Sequence, residues 1–391
     1  MKIVNLCGPN PLDPIESGGV GVVVYNLNKR LVKHGFDITN ICYSERSFIK
    51  KSNIGTVIGL KVPHNELLKI LIYSLRAAYL SQKFNPDLIQ SEGSSSLGAG
   101  IAARFFNKGN VKIIERAHGT HIGLIDSLPN KNLHMKILGK LYAKIIENLT
   151  FQNADTIVAV SKLAKHEIMN YYRVAGYKIK VINPAVNTKY YVPPSNKSAL
   201  RKKLNLNASD RYVLFVGLDA YRKGLDIVID SILSIKDTKI KLLVIGVNAT
   251  NFYKEFPKER LNGRVIILGK PPNKVKRLYY QASDIFVFPS RHEGFAVTPL
   301  EAMASGLPTV VSKTSGTNEI ITDGVNGMVL KDNSAQPLTN TIIAILGNHK
   351  IMDRMSKASR ELVLRYGWDA VAKIYYDLYY NLYTEHRGLY R

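Results

Sequence analysis

The stretch that decides the fold runs Pro289-Ser-Arg-His-Glu-Gly-Phe-Ala-Val-Thr-Pro-Leu-Glu-Ala-Met-Ala-Ser-Gly-Leu-Pro308. It follows an apolar run at 285–288, places Glu293 in a glycine-containing loop, and reads as entering a helix at Pro299. A helix that begins just after a parallel strand offers unpaired N–H groups and a positive dipole end, a setting for phosphate. Glu301 lies one turn into that helix. Two carboxylates around one anion-binding turn can hold hydroxyls of a sugar and of a ribose, because a carboxylate accepts several directed hydrogen bonds. Thr298-Pro299-Leu300-Glu301 equally reads as a capping box, with Thr298 as N-cap and Glu301 at N3, so a structural role for Glu301 stays open. Glu293, beside Gly294 in a loop, has no comparable structural account.

Outward from this stretch, short apolar runs alternate with amphipathic helical patterns, twice over. The first half has strand-like runs at 3–6, 38–43, 88–90, 111–115, 156–160 and 180–182, with helical patterns near 20–34, 64–82, 97–107, 133–150 and 161–172. The second half has runs at 212–216, 241–245, 265–268, 285–288 and 309–311, with helical patterns near 224–234, 273–281 and 299–304. Strands this apolar, separated by helices, are buried on both faces of a parallel sheet. Pro184, Pro193 and Pro194 break the alternation before a new strand opens at Tyr212. The expected class is therefore α/β: two doubly wound, Rossmann-like domains with a ligand cleft between them. The boundaries drawn are 1–190, 191–367, and a C-terminal helix over 368–391.

Composition bounds the chemistry. The 391 residues are 46% hydrophobic and 21% charged, which builds a core and excludes a disordered chain. Two cysteines, Cys7 and Cys42, supply neither a disulfide framework nor a zinc set. No Asp-x-Asp occurs, and no cluster has metal-ligand spacing, so no metal is expected. No apolar stretch is long enough to span a bilayer, and the first residues read as a strand rather than a signal peptide. A cytoplasmic chain is expected. The formal charge is +24, with +13 over 1–190 and +11 beyond, so the basic excess is spread and no basic tail stands out. Such a field favours polyanions: nucleic acid, anionic lipid or phosphorylated small molecules.

The run from Glu293 to Glu301 and on to Pro308 resembles the E-x7-E signature of the retaining glycosyltransferases of family 4, which have the GT-B fold. The resemblance extends over nearly the whole chain. It takes in Gly18-Gly-Val-Gly21, Ala117-His118-Gly119, Val160-Ser161-Lys162, Val216-Gly217, Arg222-Lys223-Gly224, Ala282-Ser-Asp284, Gly316-Thr-Asn-Glu319 and Gly324-Val-Asn-Gly327. It implies that Glu293 contacts the transferred sugar and Glu301 the ribose. The N–H groups of Phe295, Ala296 and Val297, next to Gly294, would meet sugar hydroxyls and the diphosphate. Lys223 and Arg222 would neutralise the diphosphate leaving group. Gly18, Gly19 and Gly21 would form a loop that lets backbone approach phosphate closely, and His118 would lie near the reacting sugar. His118 also has an ordinary reading as a satisfied structural histidine at a strand end, set against its neighbours Gly119 and His121 in what reads as a long loop.

Two positions depart from the family pattern. Many relatives carry Arg where this chain has Leu218, and Pro-Asn-Gly-Val-Asp where this chain has Asn183-Pro-Ala-Val-Asn187. The implied reaction moves a sugar from a nucleoside-diphosphate sugar, UDP- or GDP-linked, to an acceptor hydroxyl with retention, without cofactor or metal. The implied partners are that donor and a glycan or lipid-linked acceptor, with no nucleic acid. A basic nucleic-acid-binding α/β protein and a GT-B epimerase are the competing readings. The family's last helix crosses back to the first domain, and the stripe Trp368, Val371, Ala372, Tyr375, Leu378, Tyr379 and Leu382 fits such packing. Finally, 61–83 and 134–144 combine Lys and Arg with Leu, Ile and Tyr at helical spacing. They suit an anionic membrane surface, or else turn Leu67, Leu71, Leu75, Ile137 and Leu141 to the core.

Overall fold

The computed structural model describes residues 1–12, 18–93, 98–107, 111–127 and 133–388. It divides into two units, Met1–Pro184 with Trp368–Arg391, and Ala185–Gly367. The first unit thus ends at Pro184 rather than at 190.

The first unit runs β1 (Lys2–Gly8), α1 (Gly18–Lys33), β2 (Asp37–Ser44), β3 (Phe48–Ser52), β4 (Gly55–Lys61), α2 (Glu66–Ser81) and β5 (Leu88–Ser91). It continues with α3 (Ala99–Phe106), β6 (Lys112–Ala117), α4 (His121–Ser127), α5 (Leu133–Asn153), β7 (Thr156–Ala159), α6 (Lys162–Tyr172) and β8 (Ile179–Val181). The eight strands lie in the order β3-β4-β2-β1-β5-β6-β7-β8. All pairings are parallel except the β3–β4 hairpin. That hairpin escapes the sequence pattern because β3 is an edge strand whose middle residues are exposed, with Lys50 and Lys51 along it. Its tight turn requires Gly55, at φ +92, where a Cβ would fall 2.1 Å from the Ile38 carbonyl oxygen. The helix expected from 97 begins at Ala99; Leu97 lies outside the described residues.

The second unit runs α7 (Lys197–Lys203), β9 (Arg211–Val216), α8 (Leu225–Ser234), β10 (Ile240–Ile245), α9 (Ala249–Glu255), β11 (Val265–Ile267) and α10 (Asn273–Ala282). Then come β12 (Ile285–Phe288), α11 (Val297–Ala304), β13 (Thr309–Ser312), β14 (Gly327–Leu330), α12 (Ala335–Leu346) and α13 (His349–Val363). Its six strands, β11-β10-β9-β12-β13-β14, are all parallel. Val213, Phe215, Leu242, Val244, Ile285 and Val287 from the sheet, with Leu225, Val228 and Ile232 from α8, form one buried core.

The last helix, α14 (Trp368–Arg387), belongs to the first unit. Trp368, Val371, Ala372, Tyr375, Tyr379 and Leu382 are its buried face. Arg30 of α1 pairs with Asp369, and the Tyr379 hydroxyl donates to Gln90 on β5. In each sheet the strand order reverses once, between β1 and β5 and between β9 and β12. Ligands of doubly wound sheets bind outside the carboxyl ends of the strands at that reversal. The loops after these four strands are therefore where the chemistry is sought.

Candidate functional site

In the second unit the loop after β9 carries Arg222 and Lys223, and the loop after β12 carries Glu293. Backbone bonds lock the two loops together: the Arg222 carbonyl accepts from the Arg291 N–H at 2.8 Å and from the Ser290 hydroxyl at 3.2 Å. Gly224 permits this approach. At φ +77 it caps α8, and a Cβ there would sit 2.2 Å from the Pro289 carbonyl oxygen. The Glu293 backbone is fixed on its other side, its N–H donating to Thr314 and its carbonyl accepting from Gly316 at 2.8 Å.

These restraints bring the three side chains into one ion cluster. Lys223 pairs with Glu293 through its ammonium, and Arg222 Nη1 donates to the same carboxylate oxygen at 2.9 Å. Arg222 also bonds the His292 carbonyl and Asp219, the latter about half exposed. Burial, and then the neighbouring Arg222 charge, push the Lys223 ammonium down to about 7. The Asp219 carboxylate works the other way by favouring the charged form. Arg222 and Lys223 thus face two carboxylates, the largely buried Glu293 and the half-exposed Asp219. Leu218, the departure from the family pattern, is 63% exposed and contributes no charge.

The structure changes the reading of Glu301. Helix α11 begins at Val297 with Ala296 as N-cap and no side-chain cap bond, so the Thr298–Glu301 capping box is not formed. Glu301 instead accepts from the Tyr191 hydroxyl at 2.8 Å, the Tyr280 hydroxyl at 2.8 Å, and Lys276 at 3.0 Å on each oxygen. Lys276 and Tyr280 sit one turn apart on α10, which points both at the carboxylate. Tyr191 is presented by the turn that Asn187 closes, its side chain accepting from the Tyr190 N–H at 3.1 Å. Of the backbone donors assigned to ligand, Ala296 N–H is already bonded to the Thr317 hydroxyl at 3.0 Å. Val297 opens α11, whose first-turn N–H groups have no partner within the helix. Gly294 and Phe295 are buried in the preceding loop.

In the first unit, Gly18, Gly19 and Gly21 form the first turn of α1 and not a loop before it. Gly19 is exposed, with nothing within 4 Å of where a Cβ would stand. His118 follows β6, and its Nε2 lies 3.0 Å from Glu92, the residue after β5. Glu92 is fully buried and also accepts from Arg116 Nη1 at 3.1 Å on each oxygen and from Gln90 at 2.6 Å. Burial alone would raise the Glu92 carboxyl; Arg116, then the bonds from His118 and Gln90, outweigh it and hold it below its ordinary value. Neighbouring Glu115 is pushed by burial up to about 8. Arg116 in turn lies under the Tyr375 ring, 4.7 Å from its centroid, so α14 buttresses the cluster. His121 opens α4, contrary to the long loop read for it. Its ring bonds Glu147 at 2.8 Å, which raises the imidazole above its ordinary value.

Sequence reading missed Glu92, Arg116, Lys276, Tyr191 and Tyr280. A carboxylate directly after an apolar strand was a usable signal for Glu92. Tyr191 had none, being 110 positions from Glu301.

The model of the family described as Glycosyltransferase Family 4 matches residues 17–190, and that of Glycosyl transferases group 1 matches 196–362. An uncharacterized glycosyltransferase of Methanocaldococcus jannaschii is 27% identical over 374 residues, covering 92% of this chain and 95% of its own. Among solved structures, sucrose-phosphate synthase of Thermosynechococcus elongatus superposes with a TM-score of 0.85 at 21% identity, over 98% of this chain and 99% of its own. Anabaena HepE in complex with UDP-glucose has a TM-score of 0.76 at 19% identity, over 97% and 99%.

Proposed function

We propose, from the premise that this chain belongs to the family 4 glycosyltransferases and has the GT-B fold, that it moves a sugar from a nucleoside-diphosphate sugar to an acceptor hydroxyl with retention. The observation that carries the proposal is the convergence of Arg222, Lys223 and Glu293 from the two strands flanking the sheet reversal. A UDP-glucose-bound neighbour of the same fold supports a UDP-linked donor.

In this reading the bond from the anomeric carbon to the diphosphate breaks, and its electrons stay on the phosphate oxygen. Lys223 and Arg222 offset the charge that develops there, helped by the first-turn N–H groups of α11. The acceptor oxygen bonds to the anomeric carbon on the same face, and its proton passes to the departing phosphate. Glu293 accepts from sugar hydroxyls once the diphosphate draws Lys223 and Arg222 away from it. Glu301 binds ribose only if a hydroxyl displaces one of the three groups it now holds. Gly18, Gly19 and Gly21 offer helix N-terminal N–H groups to phosphate, and His118 serves near the reacting sugar. No metal enters this scheme, in keeping with the lack of Asp-x-Asp.

We infer a glycan acceptor, lipid-linked or at the cell surface, and an enzyme working peripherally on the cytoplasmic leaflet. The test is a thermal-shift screen of UDP, GDP and ADP beside duplex DNA and RNA. Stabilisation by one nucleoside diphosphate supports the transferase. Stabilisation by nucleic acid alone returns the +24 charge to a nucleic-acid binder.

A further inference from the structure

We propose that the outer face of α2, α3 and α5 is a docking surface for an anionic lipid bilayer. The inference gives a place to the peripheral contact just proposed and rests on that reading for its purpose. Its observations are independent of the donor site.

The alternative in which these leucines turn to the core is overturned. On α2, Leu68, Leu71, Leu75 and Tyr79 are each about half exposed, at spacings of three and four residues. The opposite face of the same helix, Tyr73, Ala77 and Ala78, is the one buried in the core. On α5, Ile137, Leu141, Ile145 and Leu149 repeat every fourth residue and are 46% to 57% exposed, while Ala143 and Phe151 are buried. Helix α3 packs against both and presents Phe105 at 80% exposure. Leu67 has a side chain outside the described residues.

With Leu138 and Tyr142, these side chains make half of the large hydrophobics exposed among the described residues. Three adjoining helices therefore hold an apolar patch of the kind that marks an interaction site. Its charge selects the partner. Arg76, Lys83 and Lys144 are exposed and Lys69 and Lys136 partly so, whereas Glu147 of α5 is buried and the nearby Asp126 is paired with Lys140. Two copies meeting through this face would press basic residues against basic residues. An anionic headgroup layer meets the same charges favourably, and the leucines, isoleucines and aromatic rings enter the acyl boundary. No described helix is long and apolar enough to cross a membrane, so the contact is with a surface.

The experiment is co-sedimentation of the full chain with phosphatidylcholine vesicles, with and without phosphatidylglycerol, at low and moderate salt. Binding is expected to the anionic vesicles at low salt and to weaken as salt rises. Leu71→Ser with Leu141→Ser is expected to lower the partition coefficient at least tenfold. Lys83→Gln with Lys144→Gln is expected to lower it about twenty-fivefold, roughly fivefold for each charge. All four side chains are exposed or nearly so, which keeps these variants folded. No binding to anionic vesicles at low salt, or binding by both double variants equal to that of wild type, would overturn the proposal. So would a lipid-free dimer abolished by the leucine pair, since the occupant would then be a second copy. Vesicle binding requires no donor, so its failure leaves the transferase reading standing, and loss of nucleotide binding leaves this one standing.

Discussion

Raising the pH is expected to weaken nucleoside-diphosphate binding by a route that runs through one side chain. In the ligand-free protein, burial and the Arg222 charge bring the Lys223 ammonium to about 7. A diphosphate beside it favours the charged form, so the complex holds its proton to higher pH. The sign follows: affinity is complete below about pH 7 and falls as pH rises above it. Each pH unit in that window is worth about 1.4 kcal/mol, or about tenfold in Kd, until the complex itself loses the proton. Working between pH 7.5 and 8.5 keeps the nucleotide's terminal phosphate ionised, as its second dissociation lies near pH 6. Isothermal titration of UDP or the preferred nucleotide is the assay. Wild-type Kd is expected to rise about tenfold over that unit, and Lys223→Arg to stay flat because a guanidinium does not titrate there. A flat wild-type profile, or an equal slope in Lys223→Arg, would refute the argument.

The other predictions concern the buried polar clusters and the metal. Glu301→Gln leaves Lys276, Tyr191 and Tyr280 short of acceptors, and is expected to cost about 1–3 kcal/mol as well as raise the donor KM. Differential scanning calorimetry should show the second unit's transition fall by roughly 5 °C, and an unchanged transition would mean the cluster is not formed in solution. Glu92→Gln strands the buried Arg116 charge and is expected to lose about 3–5 kcal/mol by urea denaturation, far more than Tyr379→Phe at about 1 kcal/mol. Transfer activity is expected to survive EDTA; complete loss restored by Mg²⁺ or Mn²⁺ would show that the lack of Asp-x-Asp misled.

The doubly wound sheets were legible because their strands are apolar on both faces, and β9, β10 and β12 fall within a residue of the runs read for them. The β3–β4 hairpin was not, since an edge strand bearing Lys50 and Lys51 carries no hydrophobic signal. The capping box failed for a geometric reason: its spacing is right, but α11 starts at Val297, which puts Thr298 inside the helix. Helices α2 and α5 are apolar on both sides, so periodicity alone left core and surface undecided until burial was known. Glu293 was singled out from its loop, yet its pairing with Lys223 spans 70 positions and depends on Gly224 letting two loops touch. Pairings at that separation leave no local pattern.

The most direct test of the account is turnover of a panel of UDP-, GDP- and ADP-sugars by wild-type protein and by Glu293→Gln, read as released nucleoside diphosphate. Wild type is expected to consume one of these donors in preference to the others. Glu293→Gln is expected to remain folded and lose most of that turnover at saturating donor, because an amide holds sugar hydroxyls less well than a carboxylate. Release from none of the donors by wild type, or undiminished turnover by folded Glu293→Gln, would contradict the assignment of this cluster as the site of sugar transfer.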